Sequence, residues 1–412
     1  MLRWTKPETG DSIVDFVASM ERYVQTRYDT DAVTANYSHK QPTLNTLEEM
    51  LGTARKAQKD VSDLPGHPGD YLRAMTRGFV ALARFLLEDG LSYADAIADI
   101  QEVRLREIPA ENFERCSISI DKTLTDMGYK GTVADKVAAW QADRQIPADQ
   151  VVNMAKLYME RSREKTKRTI CSLPATEGID SVNEIRGVYW SGLSEYLGDF
   201  KGRLTFNIDR PWNEPTFACI LTHEGYSGHH TYYTHWDDLF QRGLLPLEAA
   251  YVLLDSPINC LFEGAPEVAS RFLGWDDPDE DTPELTVNEK SEIILAKRIM
   301  DLQRMYQTNG CYFYNVQGMS AHDTLAYLQS SGWYSQVEAN NTLRYFSHPY
   351  KKLYYPCYYY GRWIIQKAFD RYPKDRRDEF YRTIYDVPHT NSTLIKAVQE
   401  QTGGVFDPFD GI

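Results

Sequence analysis

Apolar residues recur every three or four positions through most of the chain, the spacing that gives a helix one buried face. Between Ile13 and Thr26 the stripe is Val14, Phe16, Val17, Met20 and Val24. Between Tyr71 and Leu87 it is Leu72, Met75, Phe79, Leu82 and Leu86. A helix is also expected over 43–60, before the break at Pro65-Gly66-His67-Pro68-Gly69. Ser92 and Thr132, each with an aspartate three residues on, have the form of helix N-caps. The hydroxyl serves the exposed amides and the acid suits the helix dipole. Pro147 opens another helix to about Glu164, with Met154, Leu157 and Met159 on or near one face. The period then changes. Gly202-Arg203-Leu204-Thr205-Phe206-Asn207-Ile208-Asp209 alternates apolar and polar, a strand signal in a helical background. Pro211 and Pro215 end it, and Pro215 fits the first turn of a helix through Phe217, Ile220 and Leu221. Further helices are expected at 292–306, 320–330, 335–345, 358–372 and 392–401. The fold class is mainly α, with one small sheet flanking a helix-rich body.

Composition narrows the choices. In 412 residues, 42% are hydrophobic and 13% aromatic, enough for a sizeable core. No repeat or low-complexity segment divides the chain. An N-terminal helical region (1–164) and a chemistry-bearing region (165–412) are expected to form one continuous unit. Trp275–Pro283 reads as an exposed loop between helices. The net charge of −14 argues against nucleic acid, which needs clustered Lys and Arg, and is unhelpful at an anionic membrane. No apolar run reaches the ~20 residues of a bilayer span, and Met1–Glu8 lacks a secretory apolar core. The six cysteines are scattered with no C-x-x-C pair, which favours reduced thiols in a cytoplasmic protein.

The chemistry concentrates in Ile220-Leu221-Thr222-His223-Glu224-Gly225-Tyr226-Ser227-Gly228-His229-His230, which holds three of the nine histidines. A zinc hydrolase needs three protein ligands, an open position for water, and a carboxylate to take that water's proton. The common His-Glu-x-x-His helix is absent, because Ser227 stands four residues after His223. On an ideal helix, His229 would be rotated ~240° from His223, and His230 would lie ~10.5 Å along the axis. Neither could share an ion with His223 without a departure from the helix. A local widening near Ser227-Gly228 would turn His229 back, and Gly225 and Gly228 give the backbone that freedom. His229 is favoured over His230 as the second ligand, and the choice stays open. Glu263, in the apolar company of Leu261, Phe262 and Ala265, is the candidate third ligand, since a charged acid there needs a partner. Glu267, one turn on, is the candidate to support a ligand histidine from behind, although spacing alone favours a solvated acid there. Spacing alone leaves a solvated His-Glu pair as an equal alternative. A serine-hydrolase elbow fails, because His229 stands where a glycine is needed.

Phe206-Asn207-Ile208 followed by Leu221-Thr222-His223-Glu224-Gly225-Tyr226-Ser227-Gly228-His229-His230 resembles the bacterial family called domain of unknown function 885. The hallmark of that family is His-Glu-Ala-x-Pro-Gly-His-His. Phe262-Glu263-Gly264, Leu302-Gln303-Arg304, Asn309-Gly310, Arg344-Tyr345 and Tyr358-Tyr359-Tyr360-Gly361 are similar to its later motifs, in order, over roughly 165–372. Ser227 replaces the family's proline, Ala265-Pro266 its Trp-Ala, Ser270 its second glutamate and Cys311-Tyr312 its Leu-His pair.

The resemblance implies a helix-rich gluzincin-like metallopeptidase fold. Zinc would be held by His223, His229 and Glu263, with Glu224 as general base. Tyr358, with His230 behind it, is the implied donor to a developing oxyanion. Arg344 and Arg362 are candidates for binding a substrate carboxylate, with a structural ion pair as the equal alternative for each, and the 202–209 strand for pairing with a peptide. The expected activity is carboxypeptidase-like cleavage of an amide in a peptide or small molecule. The alternatives are a small-molecule amide, ester or lactone hydrolase, or a non-catalytic helical protein with a structural or vestigial metal site. The oligomeric state is not legible in the sequence.

Overall fold

The structure is a computed structural model that describes residues 1–410 apart from Tyr189 and Trp333. Helix accounts for 61% and strand for 8%, the mainly α fold that the apolar period indicates. The chain begins with α1 (Pro7–Tyr28), β1 (Val33–Asn36), α2 (Leu47–Asp60), α3 (Gly66–Leu86), α4 (Tyr93–Ile100), α5 (Ala110–Asp126), α6 (Val133–Asp143) and α7 (Val151–Thr169). There follow β2 (Gly178–Ile185), β3 (Gly192–Gly198), β4 (Lys201–Asn207), α8 (Glu214–Glu224), α9 (His229–Gln241), β5 (Tyr251–Leu253) and α10 (Asn259–Glu267). The rest is α11 (Ala269–Phe272), α12 (Val287–Asn315), α13 (Ala321–Ser330), α14 (Gln336–Ser347), α15 (Pro356–Phe369), α16 (Arg377–Asp386) and α17 (Asn391–Thr402).

Local chemistry sets many of these ends. Ser92 and Thr132 cap α4 and α6 as expected, their hydroxyls accepting from the Asp95 and Asp135 amides. The stripes of α1 and α3 face each other, with Phe16 stacked on Phe79 at 4.5 Å between ring centroids. Other elements differ from expectation. Helix α5 buries only Ile120 and Leu124, too thin a stripe to read. Helix α16 also lies between the expected helices. Helix α12 runs 29 residues, past both ends of the 292–306 stretch. Leu157 is 40% exposed, off the buried face that holds Met159. Trp275 is fully buried, packed edge-on to Tyr158, with its indole N–H donating to Glu284 at 3.1 Å. The acidic stretch that follows is therefore anchored in the core rather than being simply an exposed loop.

The described residues form two small sheets instead of one. Strands β1 and β5 form an antiparallel pair, and the second sheet has the order β2-β4-β3. Strand β4 is central, parallel to β2 and antiparallel to β3, with Ser194 opposite Leu204. Both of its edges are taken, so no peptide can pair with 202–209; the outer edges belong to β2 and β3. Phe206 on β4 packs against Phe217 of α8 at 5.0 Å, locking the sheet to that helix. One buried apolar cluster extends from Ile13 to Phe406, and residue 164 lies inside α7. All six cysteines are free, and no described helix is long and apolar enough to cross a membrane.

Candidate metal centre

Helix α8 starts cleanly. The Asn213 side chain accepts from the Thr216 amide at 3.1 Å, with Glu214 and Pro215 in the first turn. It ends at Glu224, and the chain leaves the helix altogether for four residues before α9 begins at His229. This is a full break, where a widened turn was expected. A Cβ at Gly228 would stand 1.9 Å from the His223 carbonyl oxygen, so only glycine lets the chain pass that close. Ser227 sits at φ 70°, a conformation closed to the family's proline, whose ring holds φ near about −65°. Side chains occupy the freed backbone groups. Thr231 accepts from the Ser227 amide at 2.8 Å, and Tyr385 donates to the Ser227 carbonyl at 2.7 Å.

The break makes His223 and His229 neighbours, 4.8 Å apart between ring centroids. Helix α10 delivers Glu263 to the same point. His223 Nε2 lies 3.3 Å from Glu263 Oε2, and His229 Nε2 lies 3.3 Å from Glu263 Oε1. All three residues are buried, and one ligand atom from each falls within 4.8 Å of the others. Ligand atoms ~2.1 Å from a tetrahedral ion stand ~3.4 Å apart, so this donor set fits zinc. Of Glu263's oxygens, Oε1 also accepts from the Tyr354 hydroxyl, while Oε2 is buried without a hydrogen-bond partner. Helix α10 is held in place by backbone contact with α15. A Cβ at Gly264 would come within 2.3 Å of the Gly361 carbonyl, and one at Gly361 within 1.9 Å of the Cys260 carbonyl.

Behind the ligands stands Glu267, with Oε1 3.6 Å from His223 Nδ1. Burial raises its pKa, but Arg304 at 2.8 Å, Lys297 and His223 outweigh that and bring it to about 2. It is thus an anion facing the rear of the His223 ring. Burial works against an imidazolium at His223, yet Glu263 and Glu224 hold its pKa above the usual value. Burial also opposes the charge on Glu263, but the two histidines keep it ionised. Glu224 lines the pocket, and burial is the main reason its pKa is raised, as suits a group that exchanges protons. The pocket, about 210 Å³, also includes Tyr358, Tyr355, Tyr345 and Gly192. It shares Arg210, Glu338 and Gln303 with an adjoining cavity of about 420 Å³. A larger cavity, about 1210 Å³ beyond the far end of β3, holds none of the ligand residues.

Five of the expected residues therefore converge with Glu224: His223, His229, Glu263, Glu267 and Tyr358. Tyr358 lies 6.3 Å from His223 between ring centroids, and burial keeps its hydroxyl protonated. Three do not join them. His230 is fully buried on the far side, with Nε2 3.5 Å from Glu177, and Gly202 of β4 presses on its ring; it is no oxyanion donor. Arg362 pairs with Asp301 in a separate cavity beside Cys116 and Trp363. Arg344 is exposed on α14 and does not line the pocket, although its neighbour Tyr345 does. Sequence reasoning missed Tyr354 and Arg210, and it noted Arg304 only as part of a motif. Tyr354 sits four residues before Tyr358 on the approach to α15, a spacing that places both on one face.

No model of a known protein family matches the chain, and no curated protein matches it. The resemblance to domain of unknown function 885 therefore rests on the motif residues. Two solved structures are similar. One is a "putative lipoprotein" from Colwellia psychrerythraea, with TM-score 0.60 and 14% identity, covering 92% of this chain and 69% of that one. The other is a "putative lipoprotein of unknown function" from Shewanella oneidensis, with TM-score 0.50 and 14% identity, covering 88% and 74%. At that identity the likeness is one of fold.

Proposed function

We propose that this chain is a zinc-dependent hydrolase of an amide bond, carboxypeptidase-like and related to the domain of unknown function 885 family. The observation that carries the proposal is a buried carboxylate, Glu263, that meets two histidine Nε2 atoms and no Lys or Arg, with Glu224 in the adjoining pocket. Zinc held by His223, His229 and Glu263 would supply Lewis acidity and a more acidic water. Glu224 takes the proton from the attacking water as its oxygen bonds to the carbonyl carbon. It returns that proton to the nitrogen as the C–N bond breaks, giving an acid and an amine. The neutral Tyr358 hydroxyl donates to the oxygen on which charge develops. The small pocket, about 210 Å³, favours a small substrate or a chain end over the middle of a polypeptide. The six free thiols suit a reducing compartment such as the cytoplasm, whereas the lipoprotein description of two fold neighbours points to the cell envelope; cell fractionation decides between them.

Metal analysis of purified protein, paired with Glu224→Gln, tests the proposal. The expected result is one zinc per chain in both proteins, with hydrolysis reduced at least a hundredfold in the variant. Folded protein that takes up no zinc would sink the hydrolase reading. A variant that keeps both zinc and activity would remove Glu224 from its role.

A further inference from the structure

The pocket beside Glu224 contains two arginines, and they differ in what they have left to give. Arg304 is the more heavily engaged: it bonds Glu267 at 2.8 Å and Gln307 at 3.2 Å, and lies 4.2 Å over the Tyr358 ring. Pulling it away would leave Glu267 without its main counter-charge. The Arg210 side chain is 40% exposed, and among the described residues its one acidic contact is Glu338 Oε1 at 3.5 Å. Glu338 cannot move closer without cost, because its other oxygen accepts from the Ser335 amide at 3.0 Å and the Ser335 hydroxyl at 2.8 Å. The bond from the Ser335 amide is half of the capping box of α14. Most of the five donors in the Arg210 fork are therefore open to a ligand.

The backbone that carries Arg210 is fixed. Asn207, at the end of β4, donates to the Val188 carbonyl at 2.8 Å and the Trp190 carbonyl at 3.0 Å, and accepts from the Asp209 amide at 3.0 Å. Arg210 thus projects from an anchored turn at the junction of the two cavities. Gln303, Gln307 and Asn341 offer only neutral amides there. A planar, bidentate cation beside an amide-cleaving centre matches a carboxylate.

We propose that Arg210 is the carboxylate clamp of this pocket and that the substrate is a small amide bearing a free carboxylate, either an N-acyl amino acid or a short peptide C-terminus. This deepens the hydrolase reading and rests on it. Arg210 lies outside the ligand set, so its preference for an acid does not need the metal.

Calorimetry on Glu224→Gln protein, zinc-loaded and metal-free, would compare N-acetyl-L-alanine with N-acetyl-L-alaninamide and Ala-Ala with its C-terminal amide. The expected result is that each acid binds about tenfold more tightly than its amide, in both metal states. Adding Arg210→Gln should abolish that difference while leaving the affinity for the amide unchanged, and Arg210→Lys should restore part of it. The stronger-bound acid of the two pairs identifies the source of the carboxylate. Equal binding of acid and amide, no binding of either, or a preference that survives Arg210→Gln would overturn the proposal. A protein that discriminates acid from amide through Arg210 yet takes up no zinc would keep the clamp and refute the hydrolase.

Discussion

His229 and His230 are adjacent in sequence and end in opposite clusters, each containing a buried glutamate. Glu177, which meets His230, also has Arg163 at 2.6 Å, Lys167 at 3.7 Å and the Tyr226 hydroxyl at 2.9 Å. Its charge is compensated by permanent cations. Among the described residues, Glu263, which meets His223 and His229, has only a tyrosine besides the two imidazoles. A buried carboxylate without a permanent positive partner is expensive, and two imidazoles become positive only by holding a proton. The His223 pKa is raised in keeping with that demand. The two clusters look alike as lists of residue types. The counter-charge separates them: Glu177 has permanent cations beside it, whereas Glu263 would gain one from the proposed zinc.

The largest test of this contrast is to neutralise each glutamate in turn. Glu263→Gln removes one of the three proposed ligands. Taking roughly a third of the ~12 kcal/mol typical of zinc sites, it should weaken zinc binding several-hundredfold, as measured by competition with a chelator. Glu177→Gln should leave zinc affinity unchanged. If Glu177→Gln also lost the metal, the clusters would be one unit and the distinction would fail.

The clusters also differ in how they are positioned. Glu177 is held by side chains, whereas Glu263 is set by backbone contact between α10 and α15. Gly264→Ala would put a methyl group about 2.3 Å from the Gly361 carbonyl, forcing the helices apart at a cost of about 3 kcal/mol. Urea denaturation of metal-free protein should show that loss, and the folded fraction should bind zinc more weakly. Unchanged stability together with unchanged zinc affinity would mean that the crossing does not place the ligand.

Much of this was legible from local pattern. His223, Glu224, His229 and Glu263 stand out by residue type, and counting residues along a helix already required a departure before His229. The apolar stripes found most helices, because a 3.6-residue period records one buried face. What remained hidden depends on distant partners. Nothing near His230 announces Glu177, and nothing near Arg362 announces Asp301, so neither partner is legible in the sequence. Trp275 lies next to an acidic run that suggests solvent, yet Tyr158 and Glu284 bury it. The Gly264–Gly361 contact joins segments far apart in sequence. Each glycine is ordinary locally, and only the packed pair explains both.

The smallest effect, and the sharpest separation, is in acid. The Glu177 pKa is raised by burial but brought down to about 2 by His230, Tyr226 and Arg163, against an ordinary value of 4.5. A depressed carboxyl contributes stability that is fully present above the unfolded pKa and is lost as pH falls through the folded one. The window therefore runs from about pH 4.5 down to about 2. In metal-free protein at pH 7, Glu177→Gln should cost about 2 kcal/mol. That is less than for a fully enclosed pair, because Arg163 and Lys167 are each about one-third exposed (33% and 31%) and regain water. The gap to wild type should close across the window, since protonated Glu177 and glutamine then present similar neutral groups. Glu263 and Glu267 titrate in both proteins and cancel in the difference. Urea midpoints at pH 7, 4.5 and 3 measure it. A gap that stays constant with pH would show that Glu177 is not held as an anion by its cations, and the contrast with Glu263 would lose its basis.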